Sequence, residues 1–221
     1  ALDLIETDRA QHGASDAELI YIGDLVDRGP ASAEVIERVR AQREEDSRVT
    51  VLRGNHDHML LEFLQGAVTS VSPRGRFAYL SNGIGGRSTM QSYGIASRLS
   101  DCKMQEEAAQ IVPQKHIDFL ASLPFYHQSG ECLFVHAGIR PRIPLGEQEE
   151  LDLIWIRDEF LWDATDHGVL VVHGHTPGKR AEHFGNRLNI DSGAAYGGPL
   201  SAVAIEGRDA YLLTYQGREK L

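Results

Sequence analysis

Four short apolar runs, rich in β-branched residues, are each followed directly by a polar loop that contains glycine. The runs occupy residues 19–22, 49–52, 133–135 and 169–172. Apolar runs of this length, bounded by glycine, are typical of buried strands. Open α/β sheets place their ligands at the carboxyl ends of such strands. The pattern therefore predicts four strands whose following loops form one functional site.

The remaining pattern predicts helices between the first strands and further strands near the end of the chain. Apolar periodicity and the positions of Pro and Gly indicate helices at 1–12, 31–45, 56–66 and 114–122. Asn55 is a candidate N-cap of the third helix. Short β runs follow at 188–190, 200–205 and 210–215. Residues 67–87, rich in Gly, Ser and Pro, are expected to form loops or a cap. This order predicts an α/β layered fold, and the absence of a linker or repeat predicts a single domain over 1–221.

Composition narrows the class of protein. The 221 residues are 42% hydrophobic and carry a formal net charge of −10, which argues against nucleic acid or an anionic membrane as a partner. No apolar run reaches the roughly 20 residues needed to span a bilayer. Cys102 and Cys132 form no Cys-x-x-Cys pair, so we expect reduced thiols and a cytoplasmic location.

The polar loops after the four strands carry the candidate chemistry. They read Gly-Asp-Leu-Val-Asp-Arg-Gly at 23–29, Gly-Asn-His-Asp at 54–57, His-Ala-Gly at 136–138 and Gly-His-Thr at 174–176. Carboxylates, an amide and imidazoles together suit borderline divalent metals. The chain has no Gly-x-Ser-x-Gly elbow and no Gly-Lys-Ser/Thr phosphate loop, so two common alternatives for hydrolysis or phosphate binding are excluded.

In this order the four motifs resemble those of the calcineurin-type metallophosphoesterases. The closest resemblance is to the bacterial branch of the PPP-type serine/threonine protein phosphatases, and it runs from about residue 19 to residue 194. The resemblance implies a layered sandwich of two mixed β-sheets flanked by helices. It also implies two divalent metal ions, with Mn²⁺ expected and Fe or Zn²⁺ compatible with the ligands.

The resemblance carries metal-binding roles to individual positions. Asp24 corresponds to the carboxylate that bridges both metals, and Asn55, His136 and His175 correspond to the other ligands of the second metal. The family's first motif, Gly-Asp-x-His-Gly, which normally supplies ligands of the first metal, is absent from these residues. We expect it on an apolar strand upstream of Ala1.

The resemblance also implies catalytic and substrate-binding roles. His56 corresponds to the general acid and Asp27 to the carboxylate that orients it. Arg28, and in the phage branch of the family Arg157, correspond to arginines that bind the substrate phosphate.

These roles imply a phosphatase that hydrolyses phosphate monoesters by direct attack of a metal-bound hydroxide. Phosphoserine and phosphothreonine in proteins or peptides are the expected substrates. Two alternatives remain open at this point: a symmetrical diadenosine tetraphosphate hydrolase, which shares these motifs, and a non-catalytic pseudophosphatase or scaffold if the first metal motif is truly absent.

Overall fold

A computed structural model of the protein describes residues 1–66 and 78–221. Its helices are α1 (Leu2–His12), α2 (Ser32–Glu45), α3 (Asn55–Leu64), α4 (Gly86–Ser92), α5 (Asp101–Ile111), α6 (Gln114–Ala121), α7 (Glu150–Trp155) and α8 (Asp158–Leu161). Its strands are β1 (Leu19–Tyr21), β2 (Val49–Val51), β3 (Tyr126–Ser129), β4 (Cys132–Val135), β5 (Leu170–His173), β6 (Glu182–His183), β7 (Arg187–Asn189), β8 (Val203–Glu206), β9 (Asp209–Thr214) and β10 (Gly217–Lys220). Within the described ranges, no helix combines the length and apolarity needed to cross a membrane.

The chain divides into two compact units. The central unit is Gly23–Pro124, and the terminal unit combines Ala1–Ile22 with Phe125–Leu221. The first two polar loops, with their carboxylates and amide, belong to the central unit. The loops that carry His136 and His175 belong to the terminal unit.

The terminal unit contains two β-sheets. One has five strands in the order β3-β4-β5-β7-β6, in which β4, β5 and β7 are parallel and both edge strands are antiparallel to their neighbours. The other is antiparallel, in the order β10-β9-β8. Parallel strands buried on both faces read as continuous apolar runs, which explains why β4 and β5 stand out in the sequence.

Apolar clusters cover both faces of the five-stranded sheet. Successive side chains on a strand point to opposite sides, so one strand contributes to both clusters. On one face, Leu170 and Val172 of β5 cluster with Ala210 of β9. On the other face, Val171 clusters with Leu153 of α7 and Phe160 of α8. The packing fixes β5 between two apolar layers, and His175 follows two residues after its end.

The central unit is built from helices around the short strand β2. The side chains of Ile36 in α2 and of Leu60 and Phe63 in α3 are completely buried, and Val51 of β2 is 1% exposed. Tyr79 is also completely buried and packs its ring against Phe63, with 5.0 Å between centroids. This core supports the two loops that begin at Gly23 and Gly54.

The α/β fold class predicted from sequence is confirmed, with a difference at α3. This helix begins at Asn55 and its N-cap is Gly54, in an extended conformation, so the interpretation of Asn55 as N-cap was wrong. The carboxylate of Asp57 accepts the Gly54 N–H at 2.8 Å, which caps the helix from inside its first turn. The helix starts one residue earlier than predicted. Of the segment expected to form loops or a cap, residues 67–77 lie outside the described residues. The single-domain assignment stays a prediction.

Candidate active site

The first two polar loops touch where each contains a glycine. A Cβ built on Gly54 would lie 2.2 Å from Asp24 Oδ1, and one on Gly23 would lie 2.5 Å from the Gly54 nitrogen. Gly23 also has φ +92°, a conformation that side chains disfavour. Both positions therefore require glycine, and the close approach places Asp24 directly beside the start of α3.

Asp57 ties these loops together through backbone hydrogen bonds. Its carboxylate accepts the N–H groups of Asp24 at 2.9 Å, Leu25 at 3.0 Å and Gly54 at 2.8 Å. Burial and the neighbouring Asp24 charge raise the pKa of Asp57, whereas the three N–H groups act in the opposite direction. Asp24 in turn accepts the backbone N–H of His56 through Oδ1 at 3.0 Å. Asp57 thus fixes the backbone on which the predicted bridging carboxylate is placed.

His56 and Asp27 form a buried pair. His56 Nδ1 lies 2.6 Å from Asp27 Oδ2, so Nδ1 carries a hydrogen and donates it in a hydrogen bond to the carboxylate. The other ring nitrogen, Nε2, is not used in this contact. Burial disfavours the charged imidazolium, but the carboxylates of Asp24 and Asp27 outweigh it and raise the pKa of His56. The predicted acid and its orienting carboxylate are therefore in direct contact.

The second oxygen of Asp27 is held by two hydroxyl groups from a distant part of the chain. Tyr79 donates to Oδ1 at 2.9 Å and Thr89 donates to it at 2.7 Å. Burial and the Asp27 charge raise the pKa of Tyr79 well above its ordinary value, so its hydroxyl stays a donor. Neither residue was predicted from sequence, because one buried tyrosine and one threonine in a short helix carry no motif.

Arg28 is held by the glycine-rich segment before α4. Its backbone N–H donates to the Gly85 carbonyl at 3.3 Å, and its guanidinium donates to the Gly83 carbonyl at 3.0 Å. A Cβ on Gly85 would lie 2.7 Å from Arg28 Cγ. Residues 67–87, which include this segment, were expected to form loops or a cap, and in the structure Gly83 and Gly85 contact the predicted phosphate-binding arginine.

Backbone strain concentrates at predicted site residues. Five described residues other than glycine have positive φ, namely Asp24, Asp27, Arg28, Arg142 and His175. Four of the five are residues to which the sequence assigned a role. Such conformations cost on the order of 1–3 kcal/mol each and persist where surrounding contacts enforce them, as at functional sites.

In the terminal unit, His136 and His175 lie next to each other. Their ring centroids are 5.3 Å apart, with the planes at 66°. His136 is 2% exposed and its Nδ1 lies 2.7 Å from the Ile22 carbonyl. Because a carbonyl only accepts, Nδ1 carries the proton and Nε2 carries the lone pair. This is the tautomer that a metal-ligating imidazole needs.

Two further residues contact His175. The ring of Trp155 meets its imidazole edge to face at 5.8 Å, and Arg157 Nη2 lies 3.5 Å from its carbonyl oxygen. Arg157 precedes α8 directly. The structure therefore brings the second predicted phosphate-binding arginine next to a predicted metal ligand.

The structure thus assembles the predicted residues as two groups, each within one unit. The central unit holds Asp24, Asp27, Arg28, Asn55 and His56, and the terminal unit holds His136, Arg157 and His175. Among residues 1–66 and 78–221, no three His, Cys, Asp or Glu side chains are arranged to hold a metal ion. The donor chemistry of each group nevertheless fits a divalent metal. In the central unit Asp24 and Asn55 supply oxygens, and in the terminal unit His136 presents the correct tautomer.

Comparison with known proteins agrees with the motifs. The model of the calcineurin-like phosphoesterase family matches residues 3–201. The asymmetrical bis(5'-nucleosyl)-tetraphosphatase PrpE of Anoxybacillus flavithermus is 24% identical over 203 residues, which cover 84% of this chain and 74% of the relative. The PrpE protein of Bacillus subtilis is 28% identical over 200 residues, which cover 83% of this chain and 73% of the relative.

A solved structure shares the fold. The cold-active protein-tyrosine phosphatase of a psychrophilic Shewanella species aligns with a TM-score of 0.59 and 18% identity, covering 92% of this chain and 69% of that protein. Members of the matched family use a dinuclear divalent metal centre. The family match over most of the chain and the motif geometry lead to one conclusion: this chain belongs to the calcineurin-like phosphoesterase family.

Proposed function

We propose that the protein is a metal-dependent phosphatase that hydrolyses phosphate monoesters, with phosphoserine and phosphothreonine in proteins as its substrate class. The observation that supports this most is the buried pair of His56 and Asp27. Cleavage of a serine or threonine ester releases an alkoxide, which is a poor leaving group unless it is protonated. An imidazole oriented by a carboxylate supplies that proton, and such catalysis contributes about 10²–10⁴-fold.

The other predicted residues bind and orient the substrate. Arg28 and Arg157 present planar guanidinium groups that match the geometry of phosphate oxygens. Asp24, Asn55, His136 and His175 would hold divalent metal ions, with Mn²⁺ as the expected metal. Bound metals would supply charge neutralisation and an acidified water. The chain's own contribution is the fixed direction of His56 Nε2, set by the Asp27 contact.

A second candidate is supported by the relatives. Both relatives described above are named asymmetrical bis(5'-nucleosyl)-tetraphosphatases, so hydrolysis of a dinucleoside tetraphosphate is a specific alternative for this chain. Their name specifies asymmetrical cleavage, whereas the alternative raised by the sequence was symmetrical. Here the leaving group is a phosphate, which departs with little protonation, so this reaction depends less on His56.

A substrate panel tests both candidates. Intact protein with Mn²⁺ is given phosphoserine, phosphothreonine and phosphotyrosine peptides, 4-nitrophenyl phosphate and diadenosine tetraphosphate. We expect the highest kcat/KM for the phosphoserine or phosphothreonine peptide. A preference for diadenosine tetraphosphate would replace the first candidate with the second. The nucleotide products then identify the cleavage, since ADP alone means symmetrical and AMP with ATP means asymmetrical. If intact, metal-loaded protein hydrolyses none of them, the scaffold alternative is favoured.

A further inference from the structure

A second histidine, His173, ends strand β5 two residues before His175 and is completely buried within the terminal unit. The rings of Phe160 and His173 pack edge to face, with 5.1 Å between their centroids. Buried polar atoms are hydrogen-bonded in almost all proteins. The partners of the two ring nitrogens therefore show what His173 does.

Those partners define the tautomer of His173. Arg187 Nη1 lies 3.3 Å from His173 Nε2. Since a guanidinium only donates, Nε2 must accept. The other nitrogen, Nδ1, then carries the hydrogen and donates to the Gly174 carbonyl at 3.2 Å. The arginine thus determines that His173 is a donor toward the main chain of the next residue.

The Gly174 carbonyl is part of the peptide that leads into His175. On its other side, the Gly174 N–H donates to the His136 carbonyl at 2.8 Å. A Cβ on Gly174 would lie 2.9 Å from Ile22 Cδ1, so the segment is also closely packed. His175 follows with φ +64°, a conformation that must be enforced by its surroundings. Contacts on both sides of Gly174 provide that enforcement.

Contacts with other residues of the terminal unit fix the position of the Arg187 guanidinium. It is 8% exposed, its guanidinium lies over the Phe184 ring at 3.7 Å, and Nη2 donates to the Leu161 carbonyl at 3.3 Å. Burial lowers the pKa of Arg187, and the charge of Glu182 acts in the opposite direction. The two guanidinium donors that the structure places are directed at the His173 ring and the Leu161 carbonyl.

We propose that His173 and Arg187 are positioning residues that hold the Gly174 peptide so that His175 presents its imidazole to the metal. The inference rests on the proposed role of His175 as a metal ligand. His173, the first histidine of His-Gly-His, then positions the second, and Arg187, although distant in sequence, affects metal affinity.

Two substitutions at one position separate this role from simple packing. His173→Asn keeps an amide N–H at the place of Nδ1, and His173→Gln moves the amide toward the place of Nε2. We expect the Gln variant to weaken Mn²⁺ binding by about 10–100-fold and the Asn variant to weaken it by less than about threefold. Binding is measured on intact protein by the EPR signal of free Mn²⁺, with the thermal midpoint recorded for each variant. His127→Asn, which alters a histidine paired with Glu18, is the control.

Arg187→Met is expected to weaken Mn²⁺ binding as well, and to add little in the His173→Gln background, because both act through one contact. Equal loss in the Asn and Gln variants, in proportion to lost thermal stability, would overturn the proposal, as would unchanged affinity in all of them. The tautomer of His173 in ¹⁵N NMR of metal-free protein gives a reading that needs no hydrolysis. An Nε2–H tautomer would also overturn the proposal, even if the protein proved to be a phosphatase.

Discussion

At the scale of single residues, the candidate site depends on the hydrogen bonds that both carboxylate oxygens of Asp27 accept. Its two carboxylate oxygens contact His56, Tyr79 and Thr89, and its backbone N–H donates to the Thr89 hydroxyl at 2.9 Å. These hydrogen bonds hold the Asp27 carboxylate in one orientation. The imidazole that contacts it is therefore oriented by the protein itself, which is the arrangement that the proposed proton transfer requires.

Replacing His56 with Asn removes the proposed acid. We expect kcat for a phosphothreonine peptide to fall by about 10²-fold or more. For 4-nitrophenyl phosphate, whose leaving group needs little protonation, the loss should be smaller. Metal content, measured by elemental analysis, should stay near that of the unaltered protein because His56 is not an expected ligand. Loss of the metal in this variant would show that the assignment of His56 is wrong.

Replacing Tyr79 with Phe removes one donor from Asp27 while keeping the ring packed against Phe63. A hydrogen bond to a charged group is worth about 1.5–3 kcal/mol, and part of that loss should appear as a drop in kcat of about tenfold with KM little changed. Tyr93→Phe is the matched control, because that hydroxyl contacts His116, outside the predicted site. Equal effects of the two substitutions on kcat would contradict a role for Tyr79 at Asp27.

At the scale of elements, the sequence predicted the strands that carry the site and missed what surrounds them. Strands β4 and β5 are buried on both faces, so their apolar runs were visible, and the motifs after them identified His136 and His175. Helix α4 is seven residues long and begins at Gly86, too short and too polar for apolar periodicity to detect. Its Thr89 reaches Asp27 across 62 positions, a contact that no local pattern encodes.

Helix α1 was predicted from the sequence, but its contact with a distant strand was not. It is capped by Gly13 in a left-handed conformation with φ 65°, which agrees with the helix predicted over residues 1–12. What the pattern did not show is that Asp8 of α1 pairs with Arg218 of β10, at 2.6 Å and 2.8 Å through two parallel hydrogen bonds. Both side chains are almost entirely buried. This pair joins the two ends of the terminal unit.

Arg218→Met should therefore destabilise the protein. Removing Arg218 leaves the largely buried Asp8 carboxylate with His12, at 3.2 Å, as its remaining cationic partner and also removes the contact of Arg218 with Glu206. We expect a loss of about 2–3 kcal/mol in the free energy of unfolding. Arg180→Met, which breaks an exposed pair with Glu219, should cost less than about 0.5 kcal/mol. Urea denaturation measures both. Equal losses would show that the buried pair contributes no more than a surface one.

The same pair predicts a dependence of stability on pH. The hydrogen bond from Arg218 is the main reason that the pKa of Asp8 lies below the ordinary value of 3.8. A carboxyl whose pKa is lowered by folding contributes stability that is fully present above its unfolded pKa and is lost as pH falls through the folded one. The unaltered protein should thus lose this contribution below about pH 4. Arg218→Met should show a smaller loss over the same range, and an identical acid profile would contradict the assignment.

At the scale of the whole molecule, a chain with a net charge of −10 is proposed to bind a phosphate that is itself anionic. The overall field repels such a substrate, so local cations must supply the attraction. The proposed function assigns this attraction to Arg28, to Arg157 and to a dinuclear metal centre of the kind that the family uses. The proposed activity should therefore depend on bound metal.

The most direct test is phosphate release from a phosphothreonine peptide by intact protein, before and after exhaustive chelation. The proposed function predicts that chelation abolishes release and that added Mn²⁺ restores it better than Zn²⁺ or Mg²⁺ does. Full activity in protein shown by elemental analysis to be free of metal would contradict it.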